Sequence, residues 1–147
     1  MADYKPDISV ICRRAVALAD GQGADFDYSP ESISAMERLL AGQNALYKQG
    51  QLTDIYVWNL SVMFGVYLGQ TMLRCGLADH GFHWITDSEG VPILYCGKED
   101  YADVNGRVRA RITGEDSENI RVFFEFVLDA ADGMFDNIPK DGAKPLS

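Results

Sequence analysis

The sequence is short of positive charge and of cysteine, and each shortage excludes a class of protein. Lysine and arginine number 13 against 22 acidic residues, which gives a net charge of −9 at pH 7. Such a field repels phosphate backbones and anionic lipids, so we expect neither a nucleic acid nor a membrane as partner. The 3 cysteines cannot all pair within one chain, and the opening "MADYKPDISV" has no apolar run of the signal-segment kind. These features predict a reduced, cytoplasmic protein.

The sequence also lacks the motifs that identify common catalytic and cofactor sites. It contains no C-x-x-C, no H-E-x-x-H and no G-x-S-x-G. The glycines of "GQGADF" follow a predicted helix rather than a strand, which fits neither the dinucleotide nor the P-loop pattern. We therefore expect no cofactor, and a non-enzymatic protein is the favoured interpretation.

What the sequence does contain is enough apolar material for one domain, residues 1–147. Hydrophobic residues make up 47% of the 147 positions, which suffices for a sizeable core. In "YSPES", Ser29 can cap a helix whose first residue is Pro30, and Thr53 or Asp54 can cap the next helix. Together with an earlier stretch of apolar residues at helical spacing, these signals predict three N-terminal helices.

The third predicted helix, from Ile55 to Leu73, is apolar almost all round, so we place it at the centre of the fold. It carries no charge, but its polar residues and glycines favour a buried core helix over a membrane-spanning one. Gly65 and Gly69 lie one turn apart on one face. Because glycine in a helix costs about 1 kcal/mol relative to alanine, we expect another backbone to approach closely there.

Strand patterns follow this helix. "FHWITDSEGVPILYC" predicts two short strands joined by the turn "DSEG", with Pro92 at a strand start or an edge. "RVRARI" alternates with period two, which predicts a further strand with Arg107, Arg109 and Arg111 on one face.

The C-terminal part predicts one more helix. "TGEDSEN" offers Asp116 or Ser117 as its cap, Gly133 is the predicted end, and residues 135–147 are expected to form a frayed tail. No crossover helices separate the strands, so their pairing should be antiparallel. The predicted fold is therefore α+β: three N-terminal helices, the third central and buried, an antiparallel sheet of three to four strands, and a C-terminal helix.

The stretch "CGLADHGFHW" contains both histidines, and with Cys96 it raises the question of a metal or catalytic site. Cys75, His80, His83 and Cys96 are ligand types that suit zinc. Their spacing is irregular, and the glycines predict a loop in which the two histidines do not converge. A Cys96–His83 pair is the alternative for nucleophilic catalysis, but the neighbouring acidic residues would raise a thiol pKa. A zinc protein or a small Cys/His enzyme is therefore the second hypothesis.

The first hypothesis is a contact surface on the sheet and its loops. Tryptophan and tyrosine are frequent interface anchors, and acidic loops steer basic partners. The alternatives left open are that the aromatic rings lie in the core and that the arginines form a solvated face. The residues proposed for this surface are Trp84, Tyr95, Glu99, Asp100, Tyr101, Arg107, Arg109 and Arg111.

Three segments, "FGVYLGQTMLRCG", "HWITDSEGVPILY" and "RVRARITGEDSENIRVFFEFV", resemble a family of small uncharacterised bacterial α+β domains. The shared features are a G-x-Y-L-G-[EQ] stretch, here Gly65 to Gln70, a strand with Trp84, and an acidic and serine cap before an aromatic helix. Gln70 stands where relatives are expected to carry an acid, which argues against a shared carboxylate site. Some similar domains occur among toxin-immunity proteins.

The resemblance and the composition together predict a bacterial, non-enzymatic protein-binding module with an unidentified protein partner. An immunity protein that binds a basic toxin is one concrete form of this prediction. A third hypothesis is a structural homodimer that forms through exposed aromatic side chains.

Overall fold

The computed structural model describes residues 7–96, 101–114 and 119–136, and in these ranges the protein is α+β with an antiparallel sheet, as predicted. Three helices come first, which confirms the predicted order: α1 (Ile8–Gly21), α2 (Pro30–Lys48) and α3 (Asp54–Arg74). A 3₁₀ turn (Leu77–His80) leads to the strands β1 (His83–Thr86), β2 (Pro92–Tyr95) and β3 (Tyr101–Ala102). Two further helices follow, α4 (Val104–Thr113) and α5 (Ile120–Asp136).

Side-chain caps fix where the first three helices begin. Ser29 accepts a hydrogen bond from the backbone N–H of Ser32, and Pro30 is the first helical residue of α2, both as predicted. Thr53 rather than Asp54 caps α3, with the N–H of Tyr56 as donor at 3.1 Å. Asp7 caps α1 in the same way. Each cap satisfies a backbone donor that the first helical turn leaves unpaired.

Helix α3 is the centre of the fold, as its apolar surface predicts. It packs against α1 and α4 most extensively and also contacts the sheet. A Cβ atom at Gly65 would lie 2.8 Å from the Cα of Asn105, at the start of α4, so two backbones do meet there. At Gly69 the close neighbour is instead the indole ring of Trp84. The prediction that another backbone approaches both glycines is confirmed at Gly65 and is wrong at Gly69, where side chains rather than a backbone lie close.

The prediction of a strand at "RVRARI" is wrong, because these residues form helix α4. Asp103 caps the helix by accepting from the N–H of Gly106 at 2.9 Å. Val104, Val108 and Ile112 are all fully buried and lie four residues apart, which is the spacing of one helix face. The spacing of Val108 and Ile112 is compatible with both a strand and a helix. The Asp103 cap and the burial of Val104, one turn before Val108, distinguish the helix from the strand.

Helix α2 binds both the C-terminal end of α4 and the N-terminal start of α5. Glu37 binds Arg111 of α4 and the backbone N–H of Ile120 at the start of α5. Two turns further on, Asn44 donates from Nδ2 to the carbonyl oxygens of Ile112 and Gly114, at 2.9 and 2.8 Å. These contacts satisfy polar groups at the ends of two helices at once.

The two ends of α5 differ from the sequence prediction. Asp116 and Ser117 lie outside the described residues, and Asn119 accepts from the N–H of Val122, which is the geometry of a cap. Gly133 does not end the helix, which continues to Asp136. The predicted tail from 135 is therefore helical at its first two residues, and residues 137–147 lie outside the described part.

Candidate functional site

The register of the sheet sorts its side chains onto two faces. The strand order is β1–β2–β3, and both pairings are antiparallel. Trp84 lies opposite Leu94, which lies opposite Ala102, and this row faces the helices. Because side chains alternate along a strand, the neighbouring row must point to the other side. We call that side the outer sheet face; its members are His83, Ile85, Ile93, Tyr95 and Tyr101.

Trp84 belongs to the core-facing side of the sheet. Its indole packs against Gly69 of α3, where the glycine leaves space for the ring. Its Nε1–H donates to Oε1 of Gln70 at 3.0 Å, so the polar atom of the ring has a partner at the edge of the core. Trp84 therefore does not lie on the outer sheet face with Tyr95 and Tyr101.

The outer sheet face carries a cross-strand row of three rings. His83 is opposite Tyr95, which is opposite Tyr101. The rings of His83 and Tyr95 meet edge to face, with centroids 6.0 Å apart, and Nδ1–H of His83 donates to the carbonyl of Gly81. Tyr101 keeps 62% of its surface exposed, His83 is also exposed, and Tyr95 is half-buried. Ile85 and Ile93 lie opposite each other and are half-buried, which adds aliphatic surface to the row.

The three arginines proposed for the contact surface do not share a face. Arg111 is buried and binds Glu37. The guanidinium of Arg107 lies 4.7 Å from the ring centroid of Phe123, and that of Arg109 lies 5.9 Å from Trp58. Positions two residues apart on a helix point about 200° apart, so Arg109 points away from Arg107 and Arg111. The arrangement does not form the single anion-binding row that a strand would have given.

The cysteine and histidine side chains have separate environments. His80 Nε2 lies 2.7 Å from Oδ1 of Asp132 on α5, while the Sγ–H of Cys96 donates to the carbonyl of His80. Cys75 is half-buried at the C-terminal end of α3. Within the described ranges, no three histidine, cysteine or acidic side chains are grouped as metal ligands.

The thiols for which the structure gives a pKa direction are not activated. Burial raises the pKa of Cys12 and of Cys75 above the ordinary value. A nucleophilic cysteine needs the opposite shift, because the thiolate is the reactive form. The raised pKa values therefore give no support to a nucleophilic role for Cys12 or Cys75.

The acidic part of the expected surface, Glu99 and Asp100, lies outside the described residues, directly before Tyr101 in the sequence. An apolar pair that the sequence did not single out is exposed on α5: Val122 and Phe126 keep 64% and 67% of their surface. They are one helical turn apart, so they form a small continuous patch. This patch is on a different element from the outer sheet face.

Sequence reasoning identified Tyr95 and Tyr101, but it left open whether His83 or Trp84 faces the core and placed Trp84 rather than His83 on the expected surface. The signal was available in the alternation of "HWIT", which places His83 and Trp84 on opposite faces. The alternation does not say which of the two faces the core. That choice depends on Gly69, which lies on α3 and makes space for the indole only in the folded protein.

None of the helices in the described ranges is both long and apolar enough to cross a membrane. Comparisons with protein-family models, with curated proteins and with solved structures found no match to this chain. The geometry of the described residues is therefore the basis for the functional proposal.

Proposed function

We propose that the protein is a non-enzymatic binding module that recognises a protein partner through the outer sheet face. The observation that carries this proposal is the row of rings on that face, in which Tyr101 is largely exposed. Tyrosine is enriched among the residues that dominate binding energy at protein interfaces, because its ring buries a large area with few rotatable bonds. The half-buried pair Ile85 and Ile93 extends the same surface with aliphatic groups.

The partner that we propose is basic. The chain carries a net charge of −9, and Asp87 and Glu89 are exposed in the turn that joins β1 to β2. In the sequence, Glu99 and Asp100 add two carboxylates immediately before Tyr101. Acidic groups around an aromatic centre attract a basic partner and raise its association rate, whereas the desolvated centre determines how long the complex lasts.

An immunity protein that binds and neutralises a basic toxin is the concrete form of this proposal that the family resemblance implies. Such a protein acts by covering a surface of the toxin and needs no catalytic group. We expect a gene for a basic toxin beside the gene for this protein. A neighbouring set of metabolic genes would instead favour an enzyme.

Affinity capture with three baits tests the outer sheet face: the natural protein, Tyr101→Ser and Phe126→Ser. Both substitutions remove an exposed aromatic ring, but from different elements, so Phe126→Ser is a matched control. We expect a partner that is retained by the natural protein and by Phe126→Ser, and that Tyr101→Ser binds about 30-fold more weakly. Equal retention by Tyr101→Ser, or a loss confined to Phe126→Ser, would contradict the proposal.

The basic character of the partner has its own test. With the purified partner, the association rate is measured from about 0.1 M to about 1 M sodium chloride, over which the Debye length falls from about 10 Å to about 3 Å. We expect the association rate to fall and the dissociation rate to change little. An association rate that does not respond to salt would remove the electrostatic part of the proposal while leaving the aromatic surface in place.

A further inference from the structure

The end of α1 and the facing sides of α2 and α3 form a groove of about 410 Å³, and no strand contributes to it. We call it the apolar groove; the large apolar residues that line it are Leu18, Leu39, Leu46, Tyr56, Leu60 and Phe64. Tyr56, in the first turn of α3, keeps 40% of its surface exposed and forms one of the walls. A concavity of this size and composition is typical of a ligand site in a protein.

A second concavity, of about 340 Å³, continues from the first. The linings of the two have Gln22, Arg38 and Leu39 in common. We call the second one the acidic groove; the carboxylates that line it are Asp25, Asp27 and Glu31. A ligand that lies along both grooves therefore meets apolar surface at one end and negative charge at the other.

The carboxylates of the acidic groove are available to a cation from outside. Oδ1 of Asp27 accepts from the hydroxyl and the backbone N–H of Ser29. These bonds lower the pKa of Asp27, so the group is ionised well below neutral pH. Within the described part of the chain, neither Asp25 nor Glu31 forms an ion pair, and the same is true of Arg38, which stands where the two grooves meet.

We propose that the two grooves together bind a short peptide segment of another protein, in which a large apolar side chain is followed closely by lysine or arginine. The apolar side chain enters the apolar groove. The basic side chain reaches the carboxylates of the acidic groove. The guanidinium group of Arg38 donates to main-chain carbonyl groups of the segment, which fixes its direction along α2.

Charge and shape both favour a peptide over a compact apolar molecule. A compact molecule would fill the apolar groove and leave the carboxylates without a partner. A third concavity, of about 530 Å³, has Ala24, Asp25 and Asp27 in common with the acidic groove, so the depression continues along the protein surface. An extended chain advances about 3.3–3.6 Å per residue and can follow such a path. This site has no residue in common with the outer sheet face and does not depend on the function proposed above.

Selection of random peptides displayed on phage, with the natural protein as bait, tests the proposal while the partner protein is still unidentified. We expect the selected peptides to combine a large apolar residue with a lysine or arginine a few positions further on. A synthetic peptide of the consensus sequence is then titrated into ¹⁵N-labelled protein. The amide signals of the groove residues, including Arg38, Leu39 and Tyr56, should shift, and those of β1 to β3 should not.

Matched variants separate the two grooves from the rest of the surface. We expect Asp27→Asn to weaken binding of the synthetic peptide about fivefold, which corresponds to one surface ion pair, and Asp129→Asn on α5 to leave it unchanged. Tyr56→Ser should weaken it about tenfold or more. Tyr101→Ser should bind the peptide normally, because it alters the outer sheet face alone.

Several results would overturn the proposal. Selected peptides without a basic residue, or equal effects of Asp27→Asn and Asp129→Asn, would exclude the acidic groove as part of the site. Signal shifts confined to the sheet would assign the peptide to the outer sheet face. If no peptide is selected, and a small apolar compound such as 8-anilinonaphthalene-1-sulfonate shifts the groove signals instead, the site is one for small molecules.

Discussion

Removal of the Glu37 carboxylate should strongly destabilise the protein, because this one group binds donors from two other helices. Its Oε2 accepts from Nε of Arg111 at 2.8 Å and lies 2.8 Å from Nη2 of the same guanidinium. Its Oε1 accepts from the backbone N–H of Ile120 at 2.8 Å. The side chains of Glu37 and Arg111 are 15% and 3% exposed, so water cannot replace the lost carboxylate at Arg111.

The magnitude follows from these contacts. A buried cation that loses its carboxylate partner on a neighbouring helix costs about 3–5 kcal/mol, and the unpaired N–H of Ile120 adds about 1 kcal/mol. We therefore expect Glu37→Leu to lower the free energy of unfolding by about 4–6 kcal/mol, a large part of the total of about 5–15 kcal/mol that is typical of a domain. Glu37→Gln keeps the shape and an acceptor oxygen, and its cost should be about 2–3 kcal/mol.

The measurement is urea unfolding followed by far-ultraviolet circular dichroism, with the slope of the transition compared between variants. The double variant Glu37→Leu, Arg111→Met removes both charges and keeps apolar volume in their place. We expect it to recover most of the loss, because neither charge of the Glu37–Arg111 pair remains. The resulting double-mutant cycle should give a coupling energy of about 3 kcal/mol.

Two outcomes would refute this reasoning. A loss below about 1 kcal/mol for Glu37→Leu would place the pair among exposed ion pairs, which contribute about that much at most. A cycle in which the single effects simply add would mean that Glu37 and Arg111 stabilise the protein independently. If Glu37→Leu does not fold, the milder Glu37→Gln and the double variant still decide between these cases.

Three further predictions concern single positions. Gly65→Ala should lower stability by about 1–3 kcal/mol in thermal unfolding, because its Cβ would lie 2.8 Å from the backbone of Asn105. Gly42→Ala is the control: its Cβ would meet nothing within 4 Å, so it should raise stability by up to about 1 kcal/mol. The hydroxyl of Ser61 is fully buried and has no hydrogen-bond partner among the described residues, so Ser61→Ala should raise the free energy of unfolding by about 1 kcal/mol. A lower free energy of unfolding would show that the hydroxyl is hydrogen-bonded. Burial raises the pKa of Cys12 above 9.0, so at high pH the folded thiol keeps a proton that the unfolded thiol releases. The free energy of unfolding should therefore fall as the pH rises above about 9. Cys12→Ala should flatten that decline, as measured by urea unfolding at a series of pH values.

Local chemistry explains why the first half of the fold could be predicted. Ser29 and Thr53 accept hydrogen bonds from backbone groups three residues away, so their capping role can be predicted from the neighbouring sequence alone. The all-round apolar surface of α3 likewise requires cover from every side, whatever the identity of the covering elements. The two glycines on that helix predicted a close approach, but their partners, Asn105 and Trp84, are far along the chain.

The wrong prediction of a strand at α4 arose because the contacts that decide its structure are distant in sequence. In "RVRARI" two apolar positions four residues apart satisfy both a strand and a helix, and a short segment cannot separate the two periods. The contacts that separate them are distant in sequence: Gly65 of α3 meets the start of α4, and Glu37 of α2 binds Arg111 near its end. Because the segment is a helix, the three arginines do not form one candidate site: each contacts a different element of the fold.

The composition of the outer sheet face is determined from the opposite side of the sheet. A shift of one residue in the register of β1 would turn Trp84 outward and His83 inward. Gly69 leaves space for the indole, and Gln70 accepts its N–H, so the core-facing position of Trp84 satisfies both the ring and its polar atom. With Trp84 turned outward, this N–H would lose its partner and the space over Gly69 would be empty. The exposed row with Tyr101 is thus a consequence of core packing on α3.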